Sequence, residues 1–276
     1  MSDAWISDLE VLEAKRAVFF SAGSGGLRVV SDWDRTLTYP QTAMGVNTTS
    51  YLAIVHGGYL GDGYRVEMEK LYVKYRGAEL DANLAEVEKL RLMNEWWRVA
   101  FEMLKRFGLT YEMVQDVGQR DGMVLRDGAA EFFQTLDHAR IPLQIVSAGL
   151  GDVIVAFLRA RQLKLTNMDV VANWITFGEE GQAVGFGEPV IHSANKTRLV
   201  DIDRLDNRSC VLLLGDTLED AEMVADFDGG TIIRIGFLNG DTEGRRAEFA
   251  ESYDVVVGGN GDFEYVNKLM KGWLGE

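Results

Sequence analysis

Short apolar runs recur along the chain at residues 27–31, 143–146, 170–172, 211–214, 231–235 and 255–257. They read as buried strands. Patterns suited to helices lie between several of them, which predicts an α/β fold whose parallel sheet is covered on both faces. The alternation breaks between Pro40 and about Gly122. There Leu84, Val87, Leu90, Met93, Trp97, Ala100, Leu104 and Phe107 recur at steps of three and four. A helix is expected over 82–107, with Asp81 as its N-cap. Residues 56–63 are glycine-rich and are expected to form a flexible loop. A helical block after the first strand implies a smaller domain over one end of the sheet. The expected division is 1–42 and 123–276 for the core and 43–122 for the insert.

Composition narrows the class. A chain of 276 residues, 47% hydrophobic and 26% charged, is ordinary for a globular protein and excludes collagen-like, disordered and disulfide-scaffold classes. No apolar run approaches the roughly 18 residues of a membrane helix. The opening residues are acidic with no apolar signal core, so the expected location is the cytoplasm. The formal net charge of −15 disfavours nucleic-acid polymers and anionic membranes as partners. An anionic substrate would need a metal ion or a few local cationic groups to draw it in. The single cysteine, Cys210, precedes an apolar run and is expected to be a buried core residue.

Four polar segments follow strands or loops. Asp32 and Asp34, separated by one residue, end the first apolar run. Open α/β sheets place ligands at such strand ends. Two carboxylates there repel unless a cation or shared proton holds them. Taken alone, Asp-x-Asp is common and reads as a solvated turn rich in Asp and Thr. Ser147-Ala148-Gly149 offers a hydroxyl and backbone N–H groups to an anion at a helix start, or is a plain Ser/Gly helix start. Gly215-Asp216-Thr217-Leu218-Glu219-Asp220 carries carboxylates four residues apart. These suit Mg²⁺, or form an N-cap with an acidic first turn. Lys196 alone would be a surface residue.

In this order the four segments resemble the haloacid-dehalogenase-like phosphatase superfamily, whose pattern is Asp-x-Asp-x-Thr, a Ser or Thr, a Lys, then Gly-Asp-x-x-x-Asp. The chain is further similar to the pyrimidine 5′-nucleotidase family, the cytosolic type III nucleotidases. The similarity runs through Asp32-Trp33-Asp34-Arg35-Thr36-Leu37-Thr38, Val146-Ser147-Ala148-Gly149-Leu150-Gly151-Asp152-Val153, Val171-Ala172-Asn173, and Ile191-His192 with Asn195-Lys196. It continues through Leu214-Gly215-Asp216-Thr217, Ile235-Gly236-Phe237-Leu238-Asn239 and Ser252-Tyr253-Asp254-Val255-Val256.

The resemblance implies a Rossmann-like haloacid-dehalogenase core with an inserted, mainly helical cap. It implies Mg²⁺-dependent hydrolysis of nucleoside 5′-monophosphates (CMP, UMP or 7-methyl-GMP) through an aspartyl phosphate. Asp32 is then the nucleophile, and Asp34 the acid that protonates the departing oxygen and the base that activates water. The Asp32 side chain, the Asp34 carbonyl and the Asp216 side chain hold Mg²⁺. Asp220 holds a metal-bound water or Lys196, and Thr36 supports the same centre from behind. Lys196 neutralises charge shared by Asp32 and the phosphoryl group, and Ser147, Ala148 and Gly149 fix phosphate oxygens. Glu79 matches the family's acidic cap residue that contacts the base. Ala100 stands where the family has a cap serine. His56, Tyr59, Tyr64, Trp96 and Trp97 are candidates for stacking on a base. Two adjacent tryptophans point about 100° apart on a helix, so at most one lines the site.

Other readings are a phosphatase of another small phosphoester such as phosphoserine, a non-catalytic nucleotide-binding module, and phosphotransfer to a nucleoside as a side activity. The expected partner is a small nucleotide, and the expected state a monomer or weak homodimer.

Overall fold

The computed structural model describes residues 4–81, 83–163, 166–196, 208–240 and 243–275. Seven strands build one sheet: β1 (Ala4–Ile6), β2 (Leu27–Ser31), β3 (Leu143–Leu150), β4 (Met168–Asn173), β7 (Cys210–Gly215), β8 (Thr231–Leu238) and β9 (Val255–Gly258). A hairpin adds β5 (Ile175–Phe177) and β6 (Ala183–Phe186). The sheet order is β1-β9-β8-β7-β2-β3-β4, and only the edge strand β1 runs antiparallel to its neighbour.

Every residue of β2 and β7 is buried. Parallel strands covered on both faces require such unbroken apolar runs. From β2 the chain steps to β3 and β4 on one side, then returns to β7, β8 and β9 on the other. The winding direction therefore reverses at β2. The carboxyl ends of β2, β3 and β7 meet where open α/β sheets hold ligands. Cys210 is fully buried in β7, as its apolar setting implied.

Helix α1 (Leu9–Gly26) joins β1 to β2, and between β2 and β3 lie α2 (Ser50–His56), α3 (Gly61–Leu80), α4 (Glu86–Arg106) and α5 (Tyr111–Gln119) of the insert, then α6 (Ala129–His138); α7 (Gly151–Ala160) follows β3. Thr49 and Thr110 cap α2 and α5, each hydroxyl accepting from a backbone N–H three residues on. The insert has an aromatic core. The Tyr51 and Tyr64 hydroxyls lie 2.8 Å apart, the Trp97 ring meets Tyr51 edge-on, and Trp96 stacks on Tyr75.

Two expectations for the insert are corrected. The second long helix starts at Glu86, not near residue 82, and its N-cap is Ala85. Asp81 instead ends α3. Its carboxylate accepts the Asn83 N–H at 2.8 Å, an Asx turn that stops one helix rather than starting the next. Ala82 lies outside the described residues. The expected loop shrinks to residues 57–60, because α2 runs through His56 and α3 opens at Gly61. Gly58 and Gly61 take φ of +76° and +74°. Both supply the left-handed backbone that this tight inter-helix turn requires.

The hairpin grips the insert. Tyr111 donates to the Gly181 carbonyl and Ala183 to the Leu109 carbonyl, both at 2.8 Å. Phe186 stacks on Phe101 of α4 with ring centroids 4.2 Å apart.

Candidate active site

β2 delivers Asp32 to the rim of the sheet, where its N–H still bonds to the Leu214 carbonyl of β7 at 3.0 Å. The next side chain, Trp33, is fully buried and packs edge-on against Phe157. The chain then turns sharply at Arg35, a non-glycine residue with φ of +67°. Such backbone strain persists only where the surroundings hold it. Arg126 does so here. Its buried guanidinium donates to the Thr36 carbonyl at 2.9 Å, the Arg35 carbonyl at 2.6 Å, the Gly261 carbonyl, and Asn239 Oδ1 at 2.6 Å. Asn239 passes the contact on, donating to the Arg35 carbonyl and, at 3.4 Å, to Asp216 Oδ2. Burial lowers the Arg126 pKa to about 10, so the group remains a cation at neutral pH.

Lys196 lies between two carboxylates. Its Nζ donates to Asp32 Oδ1 and, at 2.8 Å, to Asp220 Oδ1. Asp220 Oδ2 accepts the Asp216 and Thr217 N–H groups, both at 3.1 Å, and the Thr217 hydroxyl accepts the Asp220 N–H in return. This capping box opens α8 (Leu218–Ala221). One residue thus starts a helix and anchors the lysine. Gly215 makes this possible, since a Cβ there would collide with Asp220 Cβ.

Burial and the neighbouring acids set the electrostatics. Burial raises Asp32 to about 7 against the pull of Lys196. Burial, then Asp32 and Asp220, hold Asp216 well above the usual carboxylate range. Burial works against the charged Lys196, but Asp220 and Asp32 outweigh it, and its pKa is raised.

Asp32, Asp216 and Asp220 each offer an oxygen within 4.8 Å of the others. Both Asp220 oxygens are already engaged, whereas Asp32 Oδ2 is buried without a hydrogen-bond partner. An orphaned buried carboxylate oxygen beside a second carboxylate fits a hard divalent cation that takes oxygen ligands.

The third segment closes the site. β3 continues past Val146 through an irregular stretch in which residues 147–149 lie opposite Ala172 alone. Ladder bonding is broken there, as at the bulges that border many active sites. Ser147 Oγ accepts the Gly149 N–H at 3.0 Å. Asn173 donates to the Ala148 and Ile191 carbonyls and accepts the Ile191 N–H, all at 2.8 Å. It thereby joins this cradle to the loop that carries Lys196. Asn195 braces that loop through Val190 and His192.

Asp34 faces a different partner from Asp32. Its Oδ1 accepts the Ser50 N–H at 2.6 Å and its Oδ2 the Ser50 hydroxyl at 2.7 Å. Burial raises its pKa, and the Ser50 bonds oppose the rise. The cradle leaves no space here. A Cβ on Gly149 would overlap Ser50 Oγ and lie 2.7 Å from Asp34 Oδ2. Gly149→Ala is therefore expected to displace Asp34 and, in the phosphate-ester hydrolysis that the resemblance implies, to lower kcat by about 100-fold, the scale of an ångström-sized misplacement. Steady-state phosphate release, with circular dichroism to verify the fold, measures it.

The structure brings together Asp32, Asp34, Ser147, Ala148, Gly149, Lys196, Asp216 and Asp220. Thr36 is buried just behind them, its hydroxyl without a partner. Glu79 lies in the last turn of α3, paired with Arg76. Tyr64 and Ala100 are buried in the hydrophobic core, Trp96 and Trp97 pack partly buried against it, and Tyr59 donates to Asp116. Sequence reasoning gave no role to Ser50, Arg126, Asn173 or Asn239. Only Asn173 and Asn239 lie in segments that the resemblance had singled out.

A profile of the family described as pyrimidine 5′-nucleotidase (UMPH-1) matches residues 35–273. A 7-methylguanosine phosphate-specific 5′-nucleotidase of Rattus norvegicus is 32% identical over 256 residues, covering 90% of this chain and 85% of that protein. The crystal structure of cytosolic 5′-nucleotidase IIIB bound to cytidine superposes with a TM-score of 0.88 at 27% identity, covering 99% of this chain and 93% of the other. A substrate-bound phosphoserine phosphatase shares the fold, with a TM-score of 0.55 at 16% identity over 88% of this chain and 97% of its own.

Proposed function

The chain belongs to the pyrimidine 5′-nucleotidase family, and from that membership and the site's geometry we propose that it hydrolyses nucleoside 5′-monophosphates to nucleoside and phosphate. The substrates are pyrimidine nucleotides such as CMP and UMP, or 7-methyl-GMP. One observation carries the reading: the switch point of the sheet holds a lysine shared by Asp32 and Asp220, beside the unpartnered Asp32 Oδ2.

Asp32 attacks phosphorus and becomes an aspartyl phosphate, splitting a slow hydrolysis into two faster steps. Asp34 gives a proton to the departing ribose oxygen and then takes one from the attacking water. Its raised pKa suits a group that must hold a proton near neutral pH. Lys196 neutralises charge on Asp32 and the transferring phosphoryl group. Ser147 and the N–H groups of Ala148 and Gly149 hold phosphate oxygens. Asp32, the Asp34 carbonyl and Asp216 would hold Mg²⁺, which would supply positive charge to the phosphate and neutralise the buried acids.

Residues 43–122 act as a cap that excludes water and reads the base. Contacts between this segment and the rest of the chain support that role: Arg98 pairs with Glu188 at 2.9 Å, and Lys89 approaches Glu219 to 3.9 Å. Glu79 accepts hydrogen bonds from an exocyclic amine or a protonated ring nitrogen of the base. Glu79→Gln should lower kcat/KM for CMP and 7-methyl-GMP about tenfold more than for UMP, within the range one hydrogen bond to a charged group allows. The cytosolic 5′-nucleotidase that this chain superposes on supports a cytoplasmic location. No helix among the described residues is long and apolar enough to cross a membrane.

The test is Mg²⁺-dependent phosphate release from CMP, UMP, 7-methyl-GMP, AMP and phosphoserine in parallel. Turnover of the pyrimidine or 7-methylguanine nucleotides above phosphoserine is expected. Strong phosphoserine turnover without nucleotide turnover would overturn the substrate assignment.

A further inference from the structure

We propose that Ser50 is a positioning residue for Asp34, tying the aim of the acid/base carboxyl to the seating of the inserted helices. The proposal rests on the reading of Asp34 as the group that protonates the leaving oxygen.

A single residue occupies both oxygens of Asp34. The Ser50 N–H reaches Oδ1 at 2.6 Å and its hydroxyl reaches Oδ2 at 2.7 Å. Two bonds to two oxygens fix rotation of the carboxyl plane, which one bond would leave free. The hydroxyl is itself oriented. The Leu150 N–H donates to Ser50 Oγ at 3.2 Å, and an N–H can only donate. Ser50 Oγ is the acceptor there and turns its own proton toward Asp34.

These contacts bridge separate parts of the molecule. Ser50 is the first residue of α2, fully buried and held by the Thr49 cap. Asp34 follows β2, and Leu150 ends β3 next to the phosphate cradle. A shift of α2 therefore moves both donors together relative to the Asp32 nucleophile. In the first chemical step the Asp32–phosphorus bond forms, the phosphorus–O5′ bond breaks, and the proton on Asp34 passes to O5′. Ser50 sets where that proton points and itself neither gains nor loses one.

Ser50→Ala keeps the backbone N–H and removes the hydroxyl. Its effect should depend on the leaving group. A ribose alkoxide needs a proton to depart, whereas p-nitrophenolate does not. kcat/KM reports the steps through the first irreversible bond cleavage, so it isolates the acid role. With Mg²⁺ present, kcat/KM of Ser50→Ala for the best nucleotide is expected to fall by about 10- to 100-fold, a fraction of the roughly 10²–10⁴-fold that a positioned acid supplies. For p-nitrophenyl phosphate it should fall about tenfold less. The ratio of the two substrates on one preparation cancels any loss of folded enzyme. Asp34→Asn should discriminate in the same direction and more strongly.

An equal fall for both substrates, or no fall for the nucleotide, overturns the role of Ser50 if Asp34→Asn still discriminates. Wild-type protein inactive on every nucleotide, or Asp34→Asn without discrimination, overturns the underlying functional reading instead.

Discussion

Asp32→Asn is expected to abolish phosphate release while raising the melting temperature of the metal-free protein. The two effects have one cause. Asn has the shape of Asp but cannot attack phosphorus, so loss of roughly 10⁴-fold or more is expected, as for removal of other covalent nucleophiles. Stability moves the other way. Asp32 is pushed to about 7 by burial and by the neighbouring Asp220 and Asp34, with Lys196 only partly compensating. Its ionised form is thus less comfortable in the folded chain than in the unfolded one. Above neutral pH the substitution removes that penalty, which is on the order of a kcal/mol or more. For a chain of this size that is a rise of about 2–4 °C per kcal/mol. Lys196 keeps its second carboxylate, Asp220, at 2.8 Å. Differential scanning fluorimetry in chelator, with a phosphate-release assay in Mg²⁺, reads both effects. Unchanged phosphate release would refute Asp32 as the nucleophile.

The core of this fold was legible because its strands are simple. β2 and β7 are buried at every position, so their hydrophobic runs carry no competing period. The charged residues at their ends read singly as turns or helix caps, and only their order along the chain, through the family resemblance, marks them as site residues. The insert was harder. Among the described side chains of α3, Tyr64, Leu71 and Tyr75 are buried and Met68 partly so, a narrow stripe. Charged residues between them mask that spacing. Asp81 misled for a physical reason: an aspartate side chain can cap a helix or close an Asx turn, and only the backbone around it decides which. Arg126 and Ser50 carry no local mark at all. Each works by a contact across the fold, Arg126 to the strained turn at Arg35 and Ser50 to Asp34. Lys196 has no local mark either; the family resemblance implies its place beside Asp32 and leaves Asp220 to hold either a metal-bound water or the lysine, and the fold puts Asp220 on the lysine.

Mg²⁺ added to the metal-free protein is expected to raise its melting temperature, and more at pH 8 than at pH 6. In the metal-free fold Asp32 titrates near 7 and Asp216 well above the ordinary carboxylate range. The unfolded chain ionises these groups near 4. From about pH 4 upward the folded state therefore holds more protons than the unfolded one. Its stability falls as pH rises, and the Asp32 part of that fall is complete once pH passes about 7. A cation needs the deprotonated oxygens, so at pH 6 it must first displace protons that are largely gone from Asp32 at pH 8. Each displaced proton weakens apparent affinity by up to about tenfold per pH unit. At 100 times the dissociation constant the bound ion contributes about 2.7 kcal/mol, a shift of several degrees. Asp216→Asn should lose most of that shift and nearly all phosphate release while keeping its fold, because Asp32 Oδ2 would face the ion without its partner carboxylate. A cation-induced shift that is larger at pH 6 than at pH 8, or that survives intact in Asp216→Asn, would mean that these carboxylates do not hold the ion.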